Sequence, residues 1–273
     1  MDFYEELLKA RKQNKEYATA TVVETEGTTP RSAGCKMLLL ADGTVVGTVG
    51  GGNVEREALA DCKTAIKTGK PLLKKYAVIT SMAAEPVAAC HNNVTIFIEP
   101  GERRPYLYLC GCGHVAQAVM PLAKTLGYHL VGIDARDVSA FGDALKPLDE
   151  LILLEDFREI GTLDFVPGSA YIACSFAHET DGEILKVVLQ KEPSYVGMLG
   201  GKPKIENMFR MLKAAGYNEE TLQTIRAPIG LDLGGEDPAT IAVSVMAEIL
   251  MVQNRRSGRP LRESMAERIF PME

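Results

Sequence analysis

The residues with the clearest chemical potential are glycine corners that expose backbone N–H groups, with cysteine, histidine or aspartate set beside them. Gly111-Cys112-Gly113-His114 follows an apolar run, Tyr106–Cys110, and precedes a helix-like segment. Gly111 permits a tight turn there. Gly113 lets a phosphate approach the backbone, and the helix start offers unpaired N–H groups and a positive dipole end. Ala116 takes the place of a third fingerprint glycine, and Asp134 closes the next apolar run, where a ribose-binding carboxylate belongs. Cys112 reads either as a packed thiol or as a thiol whose pKa the helix end depresses. His114 lies either beside a bound phosphate or in a capping hydrogen bond. Two further corners stand earlier: Gly27-Thr28-Thr29-Pro30-Arg31-Ser32-Ala33-Gly34, and Gly50-Gly51-Gly52-Asn53. Arg31, Ser32 and the glycine N–H groups suit a phosphate or another oxyanion, and the same residues also suit plain tight turns. Cys90-His91 could be a soft-metal ligand pair, a reactive thiol beside an imidazole, or a small buried hydrophobe. His178 and Asp181 follow a predicted strand, in a loop facing the ligand side of an open sheet, unless Asp181 is simply a helix N-cap. Asp232 sits in the apolar loop Ala227-Pro228-Ile229-Gly230-Leu231-Asp232, where a carboxylate should have a partner. Ser-His-Asp order, zinc spacing, a glycosidase-type acid pair and a Walker A motif are all missing.

The elements that must position these groups fall into two sets. Residues 1–100 read as a small α+β domain. It has a short amphipathic helix on Phe3, Leu7 and Leu8, a strand over 17–26, and a hairpin of 36–40 with 44–48. A helix then runs from Asn53 as N-cap to about Thr68, and strands follow at 73–79 and 94–98. Pro100-Gly101-Glu102-Arg103-Arg104-Pro105 is the best linker. Over 106–253, predicted strands at 106–110, 130–134, 151–154, 171–175 and 195–199 alternate with helices at 115–126, 182–190 and 205–215. A last helix is opened by Asp237-Pro238. Strand–helix alternation predicts a parallel sheet covered on both faces, hence an α/β chain with a C-terminal Rossmann-type domain. Residues 254–273 form a basic, polar tail. Lys and Arg number 30 against 36 Asp and Glu, a net charge of −6, which argues against nonspecific nucleic-acid binding. No apolar stretch is long enough to cross a bilayer, and the acidic N-terminus does not read as a secretory signal. Six cysteines without close metal spacing fit a reducing cytoplasm.

Five motifs occur in order: Gly27-Thr-Thr-Pro-Arg-Ser-Ala-Gly34, Gly47-Thr-Val-Gly-Gly-Gly52 with Glu55, Ile96-Phe-Ile-Glu-Pro100, Gly111-Cys-Gly-His-Val115 and Ala227-Pro-Ile-Gly-Leu-Asp232. Segments Ala242-Val243-Ser244 and Ala247-Glu248-Ile249 follow. Together they closely resemble the XdhC/CoxI family, accessory proteins of xanthine dehydrogenase and related molybdenum hydroxylases. The resemblance implies a cofactor-binding maturation chaperone rather than a stand-alone catalyst. Such a protein holds the molybdenum cofactor (molybdopterin) transiently while a cysteine desulfurase supplies its sulfido ligand, then delivers it to the apo-hydroxylase. On that reading Arg31, Ser32, Gly50, Gly51, Gly52, Asn53 and Cys90 line the pterin or its phosphate, with Cys90 near the metal. Gly111, Gly113, His114 and Asp134 form the Rossmann site, and His178, Asp181 and Asp232 close a cleft between the domains. The chain departs from the family pattern at four places. Cys90-His91-Asn92 replaces Cys-Gly-Gly, and Ser175-Phe176-Ala177-His178 replaces Thr-His-Gly-His. Gly200-Gly201-Lys202-Pro203-Lys204 replaces Gly-Ser-Arg-Arg-Lys, and Arg226 replaces a histidine. The alternatives are an NAD(P)-dependent oxidoreductase with His178 or His114 as proton donor, and a non-catalytic adaptor docking on the hydroxylase as a homodimer.

Overall fold

A computed structural model describes residues 2–79, 92–137, 139–176 and 178–263; the side chains of Ala140, His178 and Glu179 are outside that description. The chain divides into two compact units, Met1–Arg103 and Arg104–Glu273.

The first unit opens with α1 (Phe3–Lys12), capped by Asp2, whose side chain accepts from the N–H groups of Tyr4 and Glu5. Strands β1 (Tyr17–Glu26), β2 (Lys36–Leu40) and β3 (Val45–Gly47) follow, then α2 (Gly52–Thr68), β4 (Leu72–Ala77) and β5 (Asn93–Pro100). The five strands form an antiparallel sheet in the order β3-β2-β1-β5-β4. The two-residue period of a strand sorts its side chains. Ala18, Ala20, Val22, Met37 and Leu39 pack with Val54, Ala58, Cys62 and Ala65 of α2, while Tyr17, Leu38, Leu40 and Val46 pack with Ala10 of α1. The spacing of Val54, Ala58, Cys62 and Ala65 gives the stripe that the sequence predicts for this helix. Its start differs. The N-cap is Gly51, in a left-handed conformation with φ 71°, and not Asn53. The Asn53 amide is engaged at the end of β4 instead: Nδ2 donates to Ala77 O at 2.8 Å, and Oδ1 accepts from Ile79 N at 3.1 Å.

The second unit contains β6 (Tyr106–Cys110), α3 (His114–Thr125), β7 (His129–Asp134), β8 (Glu150–Leu153), β9 (Ala170–Ala173), α4 (His178–Val188), β10 (Tyr195–Met198), α5 (Lys202–Ala214), α6 (Glu219–Gln223), β11 (Ile225–Arg226) and α7 (Pro238–Gln253). Short 3-10 turns at Ser139–Leu145 and Phe157–Thr162 flank β8. All strand pairs are parallel, in the order β11-β10-β9-β6-β7-β8. The chain winds outward from β6 through β7 and β8, returns to β9 beside β6, and winds outward again. The order therefore reverses between β6 and β9, the switch point of a doubly wound sheet. One face packs Leu107, Leu109 and Leu130 against α3 and α7; the other packs Tyr108, Tyr171 and Val196 against α4 and α5. Burial on both faces explains why β6, β7, β9 and β10 read as nearly unbroken apolar runs. Among the described residues, no helix is long and apolar enough to cross a membrane.

Candidate functional site

In the second unit, the carboxyl ends of β6, β7, β9 and β10 collect most of the chemically distinctive groups. Gly111 turns the chain out of β6 at φ 114°, and a Cβ there would collide with the carbonyl of Cys174 beside β9. The turn therefore requires glycine for both conformation and space. Gly113 is the N-cap of α3, with no side-chain cap bond; a Cβ there would meet nothing within 4 Å, so the approach to the helix start is open. His114 is exposed at the first helical position.

Asp134 is fully buried at the end of β7. Its Oδ2 accepts from Cys112 N at 2.7 Å and Arg136 Nη2 at 2.7 Å. Its Oδ1 accepts from Ala135 N at 2.9 Å, Arg136 N at 3.1 Å and Arg136 Nε at 2.9 Å. Burial pushes this carboxyl up, but the Arg136 guanidinium and the Cys112 N–H outweigh it and hold the pKa below its ordinary value. Both oxygens are thus committed to the loop and to Arg136. The guanidinium lies over two rings, 5.3 Å from the centroids of both Phe141 and Phe176.

The thiol beside this carboxylate is the packed one of the two readings, not the one with a depressed pKa. Cys112 is buried, and burial, with the Asp134 charge second, pushes its pKa up to about 12. The helix dipole is the weaker influence because the thiolate would have to sit in the core next to an anion. Burial likewise raises Cys110 and Cys174.

Asp181 is also placed differently from the N-cap reading. Helix α4 begins at His178, so Asp181 lies inside its first turn, fully buried. Its Oδ1 accepts from Ser175 N at 3.0 Å and Ser175 Oγ at 2.6 Å, and its Oδ2 is ion-paired with Lys204 Nζ. Ser175 and Lys204 are members of this cluster that the sequence reasoning missed. The sequence signal was the lysine kept at the end of Gly200-Gly201-Lys202-Pro203-Lys204. Asp232 is exposed, so hydration replaces the partner that its apolar neighbours led one to expect. Its loop is held by α7: Glu248 Oε2 accepts from Gly230 N at 2.9 Å and from the Tyr195 hydroxyl at 2.5 Å, and the Ser244 hydroxyl donates to Leu231 O.

The two glycine corners of the first unit come together. A Cβ on Gly50 would lie 3.0 Å from the Pro30 ring and 3.9 Å from Arg31 Cγ. Arg31 and Ser32 are exposed. The loop's own N–H groups are partly spent. Gly50 N donates to Thr48 Oγ1 at 3.1 Å, Gly51 N donates to Glu55 Oε2 at 3.2 Å, and the Thr48 hydroxyl donates to the same Glu55 oxygen. Gly51 and Gly52 have open space where a Cβ would stand. Cys90 and His91 lie outside the described residues, as does the side chain of His178. Among the described residues, no group of three or more His, Cys, Asp or Glu could hold a metal ion.

A family model described as the XdhC Rossmann domain matches residues 107–249, and one described as the XdhC and CoxI family matches residues 10–77. The chain is 32% identical to the Escherichia coli protein YqeB over 94% of its own length and 47% of the relative's. It is 24% identical to a probable xanthine dehydrogenase subunit of Bacillus subtilis, over 60% of the chain and 48% of the relative. It is 23% identical to the Escherichia coli molybdenum cofactor insertion chaperone PaoD, over 90% of the chain and 86% of the relative. The chain thus spans about half the length of the first two of these relatives.

Proposed function

We propose that this chain, which belongs to the XdhC and CoxI family, is an accessory protein that binds the molybdenum cofactor and serves a xanthine-dehydrogenase-type molybdenum hydroxylase. The observation that carries this reading is the similarity to a molybdenum cofactor insertion chaperone along nearly the whole of both chains. The chemistry of the described site supports it. The cargo is a pterin carrying a phosphate and a dithiolene. The open approach at Gly113 suits a phosphate. Lys204 stands at the same edge of the sheet, its charge paired with buried Asp181. The exposed Arg31 with the open glycines 51 and 52 offers a second anion-friendly corner in the first unit. The finer steps belong to the same proposal: the protein shields the cofactor while a cysteine desulfurase provides the sulfido ligand, then inserts it into the apo-hydroxylase. Cys90 is proposed to stand near the molybdenum, whose softness matches a thiolate.

The dinucleotide alternative is weakened by the commitment of both Asp134 oxygens, since a ribose needs a carboxylate with a lone pair to spare. The test is co-expression with a full cofactor-synthesis background, followed by quantification of bound molybdopterin as its fluorescent oxidation product. The purified chain is then added to an apo-hydroxylase. Near-stoichiometric molybdopterin and restored hydroxylase activity are expected. Absence of cofactor across several preparations overturns the reading. Within it, Cys90→Ala is expected to lower the molybdenum-to-pterin ratio, and an unchanged ratio removes Cys90 from the metal.

A further inference from the structure

The ring of Phe176 is 63% exposed, unusual for a phenylalanine in a loop between two core elements. It is not loosely placed. Its neighbour is the Arg136 guanidinium, fixed by two side-chain bonds to buried Asp134, and Phe141 sits against the same guanidinium. Phe176 leaves the end of β9 and Arg136 leaves the end of β7. The stack therefore spans β6 at the carboxyl edge of the sheet, where the strand order reverses. Ligands of open α/β sheets bind at that edge. The guanidinium, anchored on Asp134 and 5.3 Å from the Phe176 ring centroid, gives that ring a contact while most of the ring stays exposed. A preformed aromatic surface stacks a flat ligand with little further loss of side-chain freedom.

We infer that Phe176, backed by Arg136 and Phe141, is a stacking platform for a flat fused-ring heterocycle of the pterin or purine type. The pterin assignment rests on the proposed function; the platform itself rests on the stack.

The experiment is a titration of the full chain with 6-hydroxymethylpterin, followed by quenching of the pterin fluorescence, and with AMP in a parallel arm followed by calorimetry. The variants are Phe176→Leu and Phe176→Tyr. Because the side chain is largely exposed, neither substitution disturbs a packed core. Base–aromatic stacking energies correspond to roughly tenfold or more in Kd. Phe176→Leu is expected to weaken pterin binding by that factor, and Phe176→Tyr to retain it. If AMP alone binds, and depends on the ring, the platform stands as a purine site and the pterin assignment fails. If neither heterocycle binds, or Phe176→Leu binds both as well as the unsubstituted chain, the platform is overturned. Measuring co-purified molybdopterin on the same proteins separates the two ideas. Undiminished cofactor in Phe176→Leu refutes the platform and leaves the proposed function intact. Ring-dependent pterin binding without any co-purified cofactor does the reverse.

Discussion

Two glycine loops at helix starts, before α2 in the first unit and before α3 in the second, each give a backbone N–H to a nearby carboxylate. In the first unit Gly51 N–H donates to Glu55, half-buried and joined otherwise by the Thr48 hydroxyl. In the second, Cys112 N–H donates to Asp134, fully buried and clamped by Arg136. The difference follows burial. A carboxylate that keeps contact with water is satisfied by neutral donors, whereas one with no exposure requires a cation and several hydrogen bonds to remain ionised. The first loop is therefore a helix cap whose carboxylate is held by neutral donors alone. The second is a scaffold whose carboxylate is fully committed; on the proposed reading, the ligand would meet it at the open side of Gly113 and at Phe176 beside Arg136.

This contrast can be broken at several points. The largest effect concerns thiols. At pH 8 a group held at about 12 should alkylate about a thousandfold more slowly than an ordinary thiol. Site-resolved mass spectrometry after brief iodoacetamide treatment should therefore find half-buried Cys35 labelled and Cys112 unlabelled until denaturant is added. Early labelling of Cys112 would mean that the second loop is not the rigid one.

Next in size is the cation. Arg136→Met leaves Asp134 buried without its partner and should cost about 3 kcal/mol of stability. Glu55→Gln keeps an oxygen acceptor in the first loop and should cost about 1 kcal/mol or less. Urea denaturation measures both, and equal losses would erase the distinction. The pH dependence carries the same signature. The folded pKa of Asp134 is depressed, so its contribution is fully present above the ordinary carboxylate value near 4 and is lost as pH falls through the lower folded value. Asp134→Asn should flatten the acid limb of a stability–pH curve below about pH 4, and an unchanged limb would show that the pairing is not ionic. The smallest effect separates the glycines. Gly51 has φ 71°, so Gly51→Ala should cost about 1 kcal/mol, whereas Gly113 has φ −73° and open space, so Gly113→Ala should change stability by only about 0.5 kcal/mol. If Gly113 faces the cargo phosphate, the same methyl should lower cofactor occupancy despite that mild effect, as measured by bound molybdopterin.

Much of the fold was legible from local pattern. The strand at Tyr106–Cys110 has the bounds its apolar run implied, and Asp237 caps α7 through the N–H groups of Ala239 and Thr240. Both depend on residues within a few positions of one another. The start of α4 was misread because Asp181 looks like a cap in sequence. It does play a cap-like part, reaching back to Ser175 N–H, but from inside the first turn. The 3-10 turns beside β8 carry no apolar period, so no local pattern marked them in advance.

The amino-acid sequence alone determined the alternation of strands and helices, the corners where only glycine fits, and the family to which the chain belongs. These are written in short-range sterics, hydrophobic period and ordered motifs. Which charges are spent inside the protein was decided by tertiary structure: Lys204 on Asp181, and Arg136 on Asp134 near Phe141 and Phe176. A carboxylate has the same composition whether it waits for a ligand or satisfies a buried loop. Only the burial and the partners that folding brings to it from elsewhere in the chain distinguish the two.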